Sequence, residues 1–570
     1  MADRIVIDPV TRIEGHLRIE AQVDGGTVAK AYSSGTMFRG MELILQGRDP
    51  REAWIWAQRI CGVCTTVHAH ASVYAVEDAL GIEIPPNARL IRNLIAGAQH
   101  IQDHVIHFYH LHALDWVDVT GALTADPAKT SELAQSLSDW PLSSTDYFAG
   151  VQARAQKLVD SGQLSLFASG YWGHPAYALP PEVDLLAVAH YLEALTWQRE
   201  VIQVHAVLGG KNPHLQTYLV GGMAAAVDGN SPNVINWERL TFLQQRIAQM
   251  RDFVTKVYVP DVKAVAGFYP EWWQLGAGHK NYLSYGGLQN GNRTDESTFG
   301  FPRGVIVGGD LSKVIPLDQT KITEAIAHSY YDYTEGDGAA LHPWSGETNP
   351  NYTGPMPPYE ELNVDAKYSW LKSPRYDGMP MEVGPLARML VAYASGNQDV
   401  QDLVNGALQE LNLPPTALFS TLGRVAARAL ESVYLLKLMD GWITDLANNM
   451  EAGDLRIHDG SKWDPSTWPA EAEGWGFHEA PRGALGHWVK IKDQKIENYQ
   501  AVVPSTWNAG PRDQQGQSGP YEASLEGTPV ADPEQPLELL RTIHSFDPCL
   551  ACAVHVVDAE GKERVRVEVR

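Results

Sequence analysis

The segment DPCLACAVH, residues 547–555, gathers Cys549, Cys552 and His555 into one short run. Its counterpart near the other end is RICGVCTTVHAH, residues 59–70, with Cys61, Cys64 and His68. The whole chain of 570 residues holds 4 cysteines, and these two CxxC pairs account for all of them. Scattered structural cysteines would not fall this way. A chain this long also buries an ample core without disulfide staples. Paired thiolates followed by histidines point to a metal site, and both pairs can serve one site only if the two ends of the chain meet. One elaborate domain therefore fits better than two. Two CxxC pairs are most often a tetrahedral zinc site. Zinc ribbons close short loops, however, whereas these pairs lie at opposite ends of the chain. Four thiolates form a soft, anionic donor set that suits nickel, zinc, Cu(I) or iron.

Working outward, the composition is that of a globular protein, 44% hydrophobic and 20% charged. A net charge of -24 argues against a nucleic-acid or anionic-membrane partner, since both attract positive faces. No apolar run is long enough to span a bilayer. The start, MADRIVIDPVTRIEGH, lacks the basic-then-apolar order of a secretory signal, so export would depend on another chain.

The first thirty or so residues alternate like strands, with a hairpin expected at Asp24-Gly25-Gly26. A helix is predicted from about Thr65 to Leu80. Further helices are predicted in 84–114, opened by a Pro-Pro-Asn start signal, and in 183–210, with Asp184 as N-cap and Gly209-Gly210 as stop. Another is predicted in FSTLGRVAARALESVYLLKLMDG, residues 419–441. Residues 276–304 and 342–361, rich in Gly, Asn and Pro, read as long surface loops, and 486–504 reads as a hairpin. The expected fold class is α+β and mainly helical. It has a central bundle of long helices and peripheral β-hairpins, with the N- and C-terminal CxxC motifs brought together. Asp103, His104 and His107 share one helix, but no matching ExxH on the others supports a di-iron bundle. Packed or hydrogen-bonded histidines are the expectation there.

The two cysteine motifs, each followed by VH, resemble the paired signatures of the large subunit of [NiFe] hydrogenases. The resemblance covers the whole chain. DPVTRIEGHLR, SSGTMFRGMELILQGRDPREAW, GGKNPH, KSPR, MEVGPLAR, EAPRGALGHW and VVPSTWN follow in the family's order. It is nearest to the membrane-bound uptake group. His70 is a departure, standing where relatives often carry an apolar residue.

The resemblance implies the catalytic subunit of an enzyme that cleaves H2 reversibly into protons and electrons. Cys61 and Cys549 would be terminal nickel ligands. Cys64 and Cys552 would bridge nickel to an iron carrying carbon monoxide and cyanide. Arg482 and Ser505 would stand beside those diatomic ligands, with Asp103 and Asp547 holding Arg482. Glu42, the carbonyl of Ala501 and His555 would help bind a magnesium ion. Glu14 would relay protons from Cys549, and His68 would support a bridging sulfur. H2 is nonpolar and a very weak acid, so cleaving it takes a Lewis acid and a base. All four cysteines being committed, clusters for electron exit must lie on a partner, the iron–sulfur small subunit. A membrane cytochrome b would accept electrons beyond it. The implied location is the periplasmic side of the cytoplasmic membrane, with export alongside the small subunit, and a cytoplasmic location is the alternative. Residues 1–555 would form the single mature domain. The extension 556–570 would be removed by a maturation endopeptidase once nickel is in place.

Overall fold

The computed structural model describes residues 3–162, 167, 170–355 and 361–550. Its centre is the helix Pro86–Ile106, in which every residue from Asn87 to Val105 is buried. A proline at its first position suits an end whose N–H groups have no helical acceptor. The helix Thr421–Glu451 packs along it, and so does Pro181–Val201. Trp237–Phe253 and Pro385–Ala394 close the bundle against Thr421–Glu451. A buried helix that still carries Arg92, Asn93, His100, Asp103 and His104 must find them partners. It does: Arg92 forks onto Glu77 at 2.9 and 2.6 Å, and Asn93 donates to the Gln289 carbonyl at 2.9 Å. The polar residues of the central helix thus tie distant segments to it.

The N-terminal sheet forms as expected. Asp3–Ile7, Leu17–Asp24 and Thr27–Gly35 pair antiparallel in order. Gly25 and Gly26 turn the second hairpin with φ of 57° and 78°, the left-handed region where a Cβ is costly. The helix expected from Thr65 spans Val67–Leu80. The helix predicted in 419–441 is longer, Thr421–Glu451, and Ser420 caps it by accepting from the Gly423 amide at 2.9 Å.

Three expectations change. Asp184 is not an N-cap, because the helix starts at Pro181 and the Asp184 carboxylate accepts from the Asp118 amide at 3.0 Å. The helix also stops at Val201. A short second helix, Gln203–Gly209, then runs to the predicted glycine stop, where Gly210 has φ 79°. Residues 276–304 are not a surface loop. They contain the strand Tyr282–Gln289, buried along its length, and most of its partner Phe299–Ile306. Glycine there permits close approach: a Cβ on Gly286 would lie 2.9 Å from the Phe299 ring. The hairpin read in 486–504 is real, but a third strand, Glu471–Ala480, joins Gly483–Lys492 and Lys495–Val502. That extra strand matters most, since the turn after it enters the core beside the cysteines. Residues 556–570 lie outside the described residues.

Candidate metal centre

Two chain ends build the site. The first motif sits in the loop between the turn Gln58–Ile60 and the helix Val67–Leu80. The second follows the helix Leu537–Ser545. The strand-like segment at Glu14 joins them. The Glu14 amide donates to the Pro548 carbonyl at 3.2 Å, and the Leu550 amide donates to the Glu14 carbonyl at 2.7 Å. This backbone bridge registers Glu14 beside Cys549.

Cys61 and Cys549 bring their sulfurs to 3.5 Å, and Cys64 lies 3.7 Å from Cys549. A disulfide would need about 2.05 Å, so these are separate thiols gathered at one point. All three are at most 4% exposed. Soft thiolates so close together suit one soft metal, near the roughly 2.3 Å of a metal–thiolate bond. Cys552 and His555 lie outside the described residues.

The other candidates converge on the same place. Cys549 Sγ donates to Glu14 Oε2 at 3.2 Å, and the Cys549 amide donates to Ser505 Oγ at 3.0 Å. Arg482, 3% exposed, pairs with Asp103 at 3.2 Å and Asp547 at 3.0 Å. Burial opposes its charge, but Asp547, Cys549 and Asp103 outweigh burial and hold its proton firmly. Burial pushes Asp103 up to about 7 despite Arg482. Asp547 is raised for the same reason. Its φ of 59° is unusual for a residue other than glycine, a local strain of the kind functional sites retain.

His68 is fully enclosed, and burial lowers it to about 4, so it is neutral. Its Nδ1 meets His487 Nε2 at 3.1 Å, and His487 Nδ1 meets the Tyr499 hydroxyl at 2.6 Å. Two buried atoms beside the thiols, His68 Nε2 and Arg482 Nε, have no hydrogen-bond partner among the described residues. A donor set of gathered thiols, edged by an unpartnered guanidinium N–H, is what an anionic metal group with acceptor ligands requires.

Glu42 is set a little apart. Its carboxylate accepts from the Ala501 amide at 3.0 Å and from Thr348 Oγ1. Lys372 donates to Gln500 at 2.9 Å and lies 3.6 Å from Glu324. Glu42 therefore lies against the Ala501 backbone through its amide, and His555, expected beside them, lies outside the described residues.

Sequence reasoning missed the clamp that holds the Glu14 segment. Arg12 pairs with Asp115 and donates to the Leu111 carbonyl at 2.8 Å. His544, on the helix before Cys549, meets the other oxygen of Asp115 at 2.6 Å and the Thr11 carbonyl at 2.8 Å. Burial disfavours the Asp115 charge, yet Arg12 and His544 hold it well below the ordinary carboxylate range. Only the position of Arg12 inside TRIEGH hinted at this. The histidines are hydrogen-bonded, as expected: His104 Nε2, on the central helix, to Glu431 at 2.9 Å, and His107 Nε2, just after its end, to the His544 carbonyl at 2.6 Å. His70 stacks on His478 with ring centres 4.3 Å apart.

Comparison with known proteins agrees with this chemistry. Residues 39–555 match the nickel-dependent hydrogenase family, and residues 4–34 match a family described as HoxL-like. The uptake hydrogenase large subunit of Bradyrhizobium diazoefficiens is 53% identical, over 100% of this chain and 97% of the relative. The hydrogenase-1 large chain of Escherichia coli K12 is 49% identical over the same shares. The solved Ni-Fe-Se hydrogenase of D. vulgaris Hildenborough superposes with a TM-score of 0.77 at 36% identity. The match covers 97% of this chain and 100% of that one.

Proposed function

We infer the function from one premise: the chain belongs to the nickel-dependent hydrogenase family, as a large subunit. It is an oxidoreductase that cleaves H2 at a nickel–iron centre, and its similarity to uptake enzymes favours the oxidising direction. The observation that carries this reading is the convergence of Cys61, Cys64 and Cys549 from opposite chain ends under a buried arginine. A structural zinc site would need the thiols but not that arginine.

Cys61, Cys64, Cys549 and Cys552 would hold the nickel–iron pair. When bound, the pair supplies Lewis acidity toward H2 and takes up its electrons. Cys549 Sγ receives a proton and passes it to Glu14 Oε2, 3.2 Å away. Arg482 provides a fixed positive charge that does not titrate at working pH. It and Ser505 would donate to carbon monoxide and cyanide on iron, and Arg482 Nε has no other hydrogen-bond partner among the described residues. Asp103 and Asp547 set its direction, and His68 Nε2 would support a cysteine sulfur. Magnesium would be held by Glu42, the Ala501 carbonyl and His555.

Electrons leave through an iron–sulfur small subunit, because none of the 4 cysteines remains for a cluster. Its docking face is supported by exposed apolar residues around the first motif: Leu43, Ile44, Ile55 and Val63, the last lying between the two cysteines. Among the described residues no helix is long and apolar enough to cross a membrane. Attachment to a membrane cytochrome b, on the periplasmic side, would run through the small subunit.

Residues 1–555 form the mature domain, and an endopeptidase removes 556–570 after nickel insertion. The intact mass of active enzyme then corresponds to a chain ending at His555. An active chain still ending at Arg570 would refute the cut.

The function is tested by H2-dependent reduction of an artificial acceptor by the purified two-subunit enzyme, wild type against Arg482→Lys. Lysine keeps a charge but loses the planar donor fork. Turnover should fall on the order of 10²-fold, with nickel and iron retained. Wild-type turnover in the variant would make Arg482 a purely structural residue.

A further inference from the structure

We propose that Arg388 is the positioning residue that aims Arg482 at the cysteine thiols, by clamping the turn that carries it. This rests on the role given to Arg482 above. Arg482 occupies a tight turn, Pro481–Arg482, between the strands Glu471–Ala480 and Gly483–Lys492, which pair at Ala480 and Gly483. The turn is buried, so its carbonyls need donors from within the protein. Arg388 meets two of them: its Nη1 donates to the Ala480 carbonyl at 2.6 Å, and its Nη2 to the Pro481 carbonyl at 3.1 Å. These are the two residues immediately before Arg482.

The clamp is itself held rigidly. Arg388 is 0% exposed, on the helix Pro385–Ala394. Its Nε and Nη2 fork onto Glu431 at 3.0 and 2.8 Å, and its Nη1 also reaches Glu479 at 2.8 Å. Glu431 is fixed in turn by His100 Nδ1 at 3.1 Å and His104 Nε2 at 2.9 Å. The Tyr285 amide donates to the other oxygen of Glu479 at 2.6 Å. His100, His104 and Glu431 are close enough to suggest a metal site, but both Glu431 oxygens already face Arg388. The cluster is a hydrogen-bond hub.

No side chain separates the clamp from the turn. A Cβ on Gly483 would lie 2.7 Å from the Gly384 amide nitrogen, and one on Gly384 would lie 3.2 Å from the Arg482 carbonyl. A shift of Arg388 therefore passes directly into the Arg482 backbone. The far end of Arg482 is fixed by Asp103 and Asp547. Arg388 fixes the near end. With both ends set, the guanidinium stays close to its working position, and misplacement by about 1 Å can cost on the order of 10²-fold in rate.

The test uses the purified two-subunit holoenzyme with two variants. Arg388→Lys retains a charge between the carboxylates but cannot reach both carbonyls. Arg388→Gln/Glu431→Gln removes the paired charges together, so no lone buried charge remains between these two positions. Glu479, pushed up to about 7 by burial, can then carry its own proton. The readouts are nickel and iron content, the infrared bands of the diatomic iron ligands, and turnover. We expect wild-type metal content, shifted cyanide bands and turnover reduced about tenfold or more. In an Arg482→Lys background, Arg388→Lys should add little further loss, because the group it positions is already gone. Unshifted bands with wild-type turnover, an undiminished further loss in that background, or loss of nickel in both variants would each overturn the proposal. Absence of such bands in the wild type would instead remove the reading of the metal centre.

Discussion

Cys549→Ser yields a complex without nickel and without H2 oxidation. The thiolate is a soft donor at the point where three sulfurs meet, 3.5 Å from Cys61 and 3.7 Å from Cys64. A serine hydroxyl is hard and poorly ionised, so it is a weak ligand for a soft metal. No other cysteine can substitute, because the chain has 4 and all belong to the two motifs. The fold around the position should survive. Its amide still donates to Ser505, and the Glu14 backbone bridge does not involve the side chain. Nickel content by elemental analysis should drop to background, and turnover with it. Wild-type nickel and turnover in Cys549→Ser would remove this residue from the metal's ligands.

Glu14→Gln separates proton movement from metal binding. Glu14 Oε2 lies 3.2 Å from the Cys549 sulfur, and its backbone is fixed by two hydrogen bonds to the Cys549 segment. Glutamine keeps the size and the hydrogen bonds. Its amide can neither take up nor release the proton. Nickel content and infrared bands should match the wild type. Steady H2 oxidation and exchange of H2 with solvent deuterium should both fall, by about 10²- to 10⁴-fold, the usual worth of a placed proton acceptor. Glu14→Asp titrates but is one methylene shorter, so it should retain part of the activity. Wild-type exchange in Glu14→Gln, with metals bound, would mean that protons leave Cys549 by another route.

Much of this site was legible because its chemistry is written in local motifs. Cys61, Cys64 and Cys549 had to meet once they were assigned to one metal, and the Gly25–Gly26 turn and the helix start at Pro86 follow from local conformational preference. The strand Tyr282–Gln289 was hidden by its glycines, which local propensity reads as loop. Their use is close backbone packing, a tertiary fact. Asp184 looked like an N-cap from its neighbours alone, whereas its carboxylate serves a distant turn at Asp118. The clamps are the furthest from view. Asp115 joins Arg12 to His544, and Arg388 joins Glu431 to the turn before Arg482. Such pairings span from 43 to 429 positions and leave no periodic trace, and each single Arg or Asp reads in isolation as a surface charge.

The central claim, that the converging cysteines hold a nickel–iron pair, is tested most directly by infrared spectroscopy of the purified two-subunit enzyme, with elemental analysis of the same sample. The account predicts about one nickel per large subunit, iron in excess of nickel because the small subunit's clusters add to it, and stretching bands of metal-bound carbon monoxide and cyanide. Zinc in the protein, with no such bands, would contradict it.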